Sequence, residues 1–167
     1  MKPPLSLAAP NAQRTARYDE VLLAIDRLIE GEDWVSAMAT VSCELHHAFE
    51  FYHWTGFYRH VKPQVLSVGP YQGGHGCLSI PFARGVCGAA ARTAQTQLVP
   101  DVHAFEGHIA CSSDTLSEIV VPVLAPDGAL LAVLDVDSND PAAFTQVDQV
   151  ALERLCARLG LLYGQPR

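Results

Sequence analysis

The chain has 167 residues, 49% of them hydrophobic and 17% charged, with a net charge of -7 and five cysteines. That length suits one domain with a core large enough to do without disulfide staples. The negative balance speaks against a nucleic acid or an anionic membrane as partner, since both want clustered Lys and Arg. An odd cysteine count does not fit a fully paired secreted framework. No apolar run approaches the ~18 residues of a membrane span, and the proline-broken start Met1-Lys2-Pro3-Pro4 is unlike a signal peptide. The expected setting is a reducing cytoplasm, where any disulfide is transient.

Residues 1–17 show no periodicity and are expected to form a loose or docked tail, taken as loose, ahead of a single domain over 18–167. Val21, Leu22, Ile25, Leu28 and Ile29 predict a first helix from Tyr18, stopped at Gly31. Asp33 can cap a second helix with the stripe Trp34, Ala37, Met38, Val41, Leu45 and Phe49. The texture then turns to strands. The first, over 53–60, puts Trp54 and Tyr58 on one face and Phe57 on the other. A short strand over 65–68 is expected to end at Gly69-Pro70, and another precedes Pro81. A short helix over 84–92 carries Cys87 in its first turn, and a strand over 97–99 follows. The segment 101–114 has no period and reads as a functional loop.

Two near-continuously apolar runs, 118–124 and 129–136, flank Pro126-Asp127-Gly128 and predict a central hairpin. Thr145 and Asp148 cap a last helix whose expected stripe is Val147, Val150, Ala151, Leu155 and Leu159. The pattern is that of an α+β domain with a mostly antiparallel sheet of about five or six strands. Terminal helices should cover one face, with irregular loops over a pocket on the other.

Cys77, Cys87 and Cys111 lie in loops or at element ends, where thiol chemistry or metal binding belongs. Cys43 lies off its helix stripe and reads as a bystander, and Cys156, next to its stripe, reads as structural. Asp135 and Asp137, two apart at a strand end, project from the same face. Short-turn register brings Glu118, which opens the partner strand, within their reach. Three such carboxylates repel, so at least one should stay protonated and able to donate, and the group would welcome an ammonium. A metal site of Cys77, Cys87 and Cys111 with His103 or His108 lacks the close ligand pairs such sites use. A hydrolytic Cys111–His108 pair leaves two thiols idle. Thiol redox chemistry on a small ammonium-bearing substrate uses all the groups.

The motifs Trp54-Thr55-Gly56-Phe57-Tyr58, Gly69-Pro70-Tyr71-Gln72-Gly73, Pro81-Phe82-Ala83-Arg84-Gly85-Val86-Cys87-Gly88, Gly107-His108-Ile109-Ala110-Cys111, Ser117-Glu118-Ile119 and Leu134-Asp135-Val136-Asp137-Ser138 resemble the free methionine-(R)-sulfoxide reductases, small GAF-domain enzymes. The resemblance runs over about 18–160. It implies reduction of free L-methionine-(R)-sulfoxide, with Cys111 attacking and becoming a sulfenic acid. Cys77 or Cys87 would then close a disulfide that thioredoxin reopens. It implies that Glu118, Asp135 and Asp137 bind the amino group and supply a proton. It further implies that Trp54 and Tyr58 wall the methyl-sulfoxide end, and that the enzyme is a homodimer. No metal or cofactor is expected.

Two departures stand out: Ser112-Ser113-Asp114 follows the last cysteine where the family places Asp directly, and His53 stands where Asn or Asp is common. The helix-terminus argument points elsewhere and names Cys87 as the readiest thiolate. The alternative function is a GAF-type ligand-binding or redox-sensing module without turnover. A purely structural or partner-binding domain leaves the cysteine–carboxylate set unexplained.

Overall fold

The computed structural model of the chain describes residues 2–109 and 111–164. Ala110 of the quoted cysteine motif and the last three residues of the 18–167 span lie outside the described residues. The elements run α1 (Asn11–Leu28), α2 (Trp34–Ala48), β1 (Trp54–Lys62), β2 (Val65–Gln72), β3 (Ser79–Pro81), α3 (Gly85–Thr93), β4 (Gln97–Val99), a single 3-10 turn (Val102–Ala104), β5 (Ser117–Leu124), β6 (Leu130–Ser138) and α4 (Gln146–Tyr163). The six strands form one antiparallel sheet in the order β3-β2-β1-β6-β5-β4. This is the expected α+β architecture. No helix among the described residues is long and apolar enough to cross a membrane.

Strand alternation decides which layer each side chain joins. Phe57, Ile119, Val121, Leu134 and Val136 face the layer formed by α1, α2 and α4, where they meet Ile25, Met38, Leu45, Leu152 and Leu159. Trp54, Tyr58, Leu66, Val120 and Val133 face the other way, against α3 and the loops, in a second core with Phe82, Val86 and Ala90. Burying side chains of this size contributes about 1.5–3 kcal/mol each, so both layers hold the sheet. The β5–β6 turn forms as its residues predict. Gly128 takes φ +86 and donates to the Ala125 carbonyl at 2.9 Å, while the Asp127 carboxylate accepts from the Ala129 N–H at 2.9 Å.

Local caps follow the sequence closely. Asp33 accepts from the N–H groups of Val35 and Ser36, and Thr145 with Asp148 forms a full capping box. Three expectations need correction. The stretch before Tyr18 is not loose: α1 begins at Asn11, and Leu5 is tied to Ala48 and Glu50 by backbone hydrogen bonds. Within it Arg14 is buried, donating to Asp148 at 2.7 Å and to the carbonyls of Ala143 and Leu7. A helix anchored by a buried ion pair shows no apolar period there. Second, β2 runs through Gly69-Pro70 to Gln72, because the register of β1 and β2 shifts there. That irregularity accommodates a proline without an N–H. Third, Val150 is exposed, and α4 presents Leu152 and Cys156 to the core instead.

Candidate active site

The face of the sheet that carries Val120 and Val133 continues, two residues at a time, into Glu118, Asp135 and Asp137. In the β5–β6 register Glu118 stands opposite Asp137 and Val120 opposite Asp135. In the β1–β6 register Trp54 stands opposite Asp137 and Gly56 opposite Asp135. A cavity of about 450 Å³ opens over them, lined among others by Trp54, Tyr58, Cys87, Cys111, Glu118 and Asp137. Hydrogen bonding and close packing build the aromatic wall. Trp54 stacks on Tyr58 and on Tyr71, with ring centroids 5.6 and 5.2 Å apart, and its indole N–H donates to the Gly74 carbonyl at 3.2 Å. Gly76 passes so close that an added Cβ would lie 2.9 Å from the Tyr58 hydroxyl and 3.0 Å from the Trp54 ring. Only glycine leaves those rings in place.

The three cysteines are sorted by their surroundings. Cys77 and Cys111 form a disulfide, their Cα atoms 5.3 Å apart, tying the loop before β3 to the loop before β5. Cys87 is free and buried. Gly85 starts its helix, with φ +72 and an N–H donated to the Gly107 carbonyl at 2.9 Å. The turn it starts aims the Cys87 thiol at the acids, where it donates to Glu118 Oε1 at 3.9 Å. Burial pushes the Cys87 thiol well up, and the charges of Asp135 and Glu118 push it further. The helix-terminus argument is thereby overturned as regards Cys87. Partial positive charge at the end of α3 does not offset loss of water and two neighbouring carboxylates.

The acids shift in the same sense. Burial, then the neighbouring Asp135 and Asp137, holds the Glu118 carboxyl well above its usual range. Burial raises Asp135 to about 7, against hydrogen bonds from Cys87 and Glu118 that favour its charged form. Burial and Asp135 likewise raise Asp137. The site therefore holds protonated carboxyls near neutral pH, each a potential donor. The described His, Cys, Asp and Glu side chains include one set close enough to share a cation: Cys87, Glu118 and Asp135, with ligand atoms within 4.8 Å of one another.

The other candidates fall out of the centre. His103 is exposed and pairs with Asp101 at 3.2 Å. His108 lines the cavity, its pKa lowered by burial and by His103. Cys43 sits on α2, and Cys156 is buried beneath the sheet. No local period or spacing in the sequence marks Tyr71, His53, Thr115 or Asn139 as members of the site. His53 accepts from the Asn139 N–H at 3.1 Å, and all except Tyr71 line the cavity. The expected stop at Gly69-Pro70 hides the pairing of Gly56 with Tyr71 in β2.

The six-stranded antiparallel sheet, with α1, α2 and α4 on one side and α3 and the pocket loops on the other, is the fold of a GAF domain, and the family described as "GAF domain" matches residues 35–162. The chain is 40% identical over 152 residues to the free methionine-R-sulfoxide reductase of Saccharomyces cerevisiae, covering 87% of this chain and 84% of that one. It is 37% identical over 147 residues to the Escherichia coli protein of the same name, covering 87% and 88%. The free methionine-R-sulfoxide reductase of Neisseria meningitidis, solved in complex with its substrate, superposes with a TM-score of 0.84 at 40% identity over 96% of this chain and 94% of that one. The chain belongs to the free methionine-R-sulfoxide reductase family.

Proposed function

We propose that this protein reduces free L-methionine-(R)-sulfoxide to L-methionine, with Cys111 as nucleophile and Cys77 as the resolving thiol. The reading rests chiefly on one observation: the Cys77–Cys111 disulfide stands at a cavity floored by Glu118, Asp135 and Asp137. The substrate ammonium binds among these carboxylates, and Trp54 and Tyr58 wall its methyl-sulfoxide end. Cys111 thiolate attacks the sulfoxide sulfur while a protonated carboxyl of the cluster, Glu118 foremost, delivers its proton to the oxygen. The protonated oxygen then passes from the substrate sulfur to the Cys111 sulfur as the transient sulfur–sulfur bond breaks, which releases methionine and leaves Cys111 as a sulfenic acid. The Cys77 thiol attacks that sulfur, water leaves, and the disulfide closes. A dithiol protein of the thioredoxin type restores both thiols by exchange and carries away the two oxidising equivalents. Cys87, buried against the acids, stays outside this exchange. We place the enzyme in the reducing cytoplasm, as a homodimer.

The test is a thioredoxin-coupled NADPH assay with the two epimers of free methionine sulfoxide and with a peptide-bound sulfoxide. Only the free R epimer should be turned over, because a peptide bond removes the ammonium that the carboxylates need. Equal rates on the peptide would overturn the assignment.

A further inference from the structure

Cys87 is a buried thiol that the exchange between Cys77 and Cys111 does not use. Its ligand atom and those of Glu118 and Asp135 come from three elements, α3, β5 and β6, packed on one another. All lie within 4.8 Å of one another. A second, independent feature points to a cation. Oδ1 of Asp135 is buried without a hydrogen-bond partner, although its residue lines the cavity. A carboxylate oxygen left so is costly unless something charged or hydrogen-bonding meets it. A substrate ammonium can meet it but gains little from the sulfur alongside. A thiophilic ion gains from both.

We propose that Cys87, Glu118 and Asp135 form a binding site for a single thiophilic divalent cation, such as Zn²⁺ or Cd²⁺, which takes the place of the substrate ammonium. Metal–sulfur and metal–oxygen bonds of about 2.3 and 2.1 Å at a tetrahedral angle hold the two ligand atoms about 3.6 Å apart. The Cys87 Sγ and Glu118 Oε1 already stand at 3.9 Å, so small side-chain movements close the site. One thiolate with two carboxylates suits a borderline-soft ion, and the fourth position faces the cavity, free for water. The ion replaces protons that burial keeps on these groups, and its charge removes the repulsion among them and with the nearby Asp137. The site itself stands apart from the reductase reading; only its competition with substrate rests on that reading.

The experiment uses the oxidised protein, in which Cys77 and Cys111 carry no thiol. Cys43→Ser removes the half-buried thiol of α2, and Cys156 is sealed in the core, its thiol toward the Val121 carbonyl. Titration with Cd²⁺, followed by ultraviolet cadmium–thiolate absorption and by equilibrium dialysis, should give one ion per chain with a thiolate band. Adding Cys87→Ser should remove the band. The shape-preserving Asp135→Asn and Glu118→Gln should each weaken binding at least tenfold. Free L-methionine sulfoxide should displace the ion well beyond the effect of alanine at equal concentration, which controls for chelation in solution. The absence of a band at saturating Cd²⁺, or undiminished binding in the variants, overturns the site. Displacement no better than that by alanine overturns the shared place. The coupled turnover assay reports separately on the reductase reading, so the two can fail independently.

Discussion

Replacing Asp135 by Asn should stabilise the protein at alkaline pH while disabling its site. Burial raises Asp135 in the folded protein to about 7, against ~3.9 for a free aspartate. Below the ordinary carboxylate range both folded and unfolded chains hold this proton, and the group's contribution to stability is fully present. As pH rises toward 7 only the folded chain still holds it, so stability falls by about 1.4 kcal/mol per pH unit. Across the roughly three units between the two values the loss is on the order of 4 kcal/mol, or about 2 kcal/mol where the site relaxes and admits water.

Asn cannot ionise, and its carbonyl can still accept from the Cys87 thiol, so the variant escapes this loss. It also removes a charge that raises Glu118 and Asp137. With about 2–4 °C per kcal/mol for a domain of this size, the gain at pH 8 should be about 5–15 °C in Tm, shrinking to nothing near pH 4. Thermal unfolding of the oxidised protein at fixed salt, every half unit from pH 4 to 8, reads the difference directly. Parallel curves for the two proteins across that range would refute the argument that burial strains this carboxyl.

In single-turnover assays without reductant, Cys111→Ser should release no methionine. Cys77→Ser should release close to one equivalent per chain but stall when thioredoxin must recycle it; a full burst from Cys111→Ser would move the nucleophile elsewhere. Glu118→Gln and Asp137→Asn should each cut turnover by on the order of a hundredfold, the scale of general acid catalysis, with full activity in both returning these residues to a structural role. Arg14→Met leaves Asp148 buried without its cation and should cost about 3–5 kcal/mol in urea unfolding; a loss under 1 kcal/mol would show that Thr145 and Tyr18, which also bond Asp148, suffice.

Much of this protein is written in short-range patterns. Alternation along β1 places Trp54 and Tyr58 together on one face and Phe57 on the other. The turn at Gly128 sets a register that brings Glu118 opposite Asp137, and Thr145 with Asp148 announces the start of α4. These features follow from backbone geometry over a few residues, so the sequence alone determines them. Tertiary structure decided the rest. A thiol's pKa depends on the water it loses and the charges it meets, and Cys87 meets Glu118 and Asp135 from strands about 30 and about 50 residues away in the chain, a distance no local helix-terminus argument can see. The pairing of Cys77 with Cys111 rests on two loops converging over the sheet, and three thiols admit three pairings until they do. Arg14 is buried because α1 packs against α4, where Asp148 awaits it. Nothing in an aperiodic lead-in foretells that contact, since burial of a charge is decided by its distant partner.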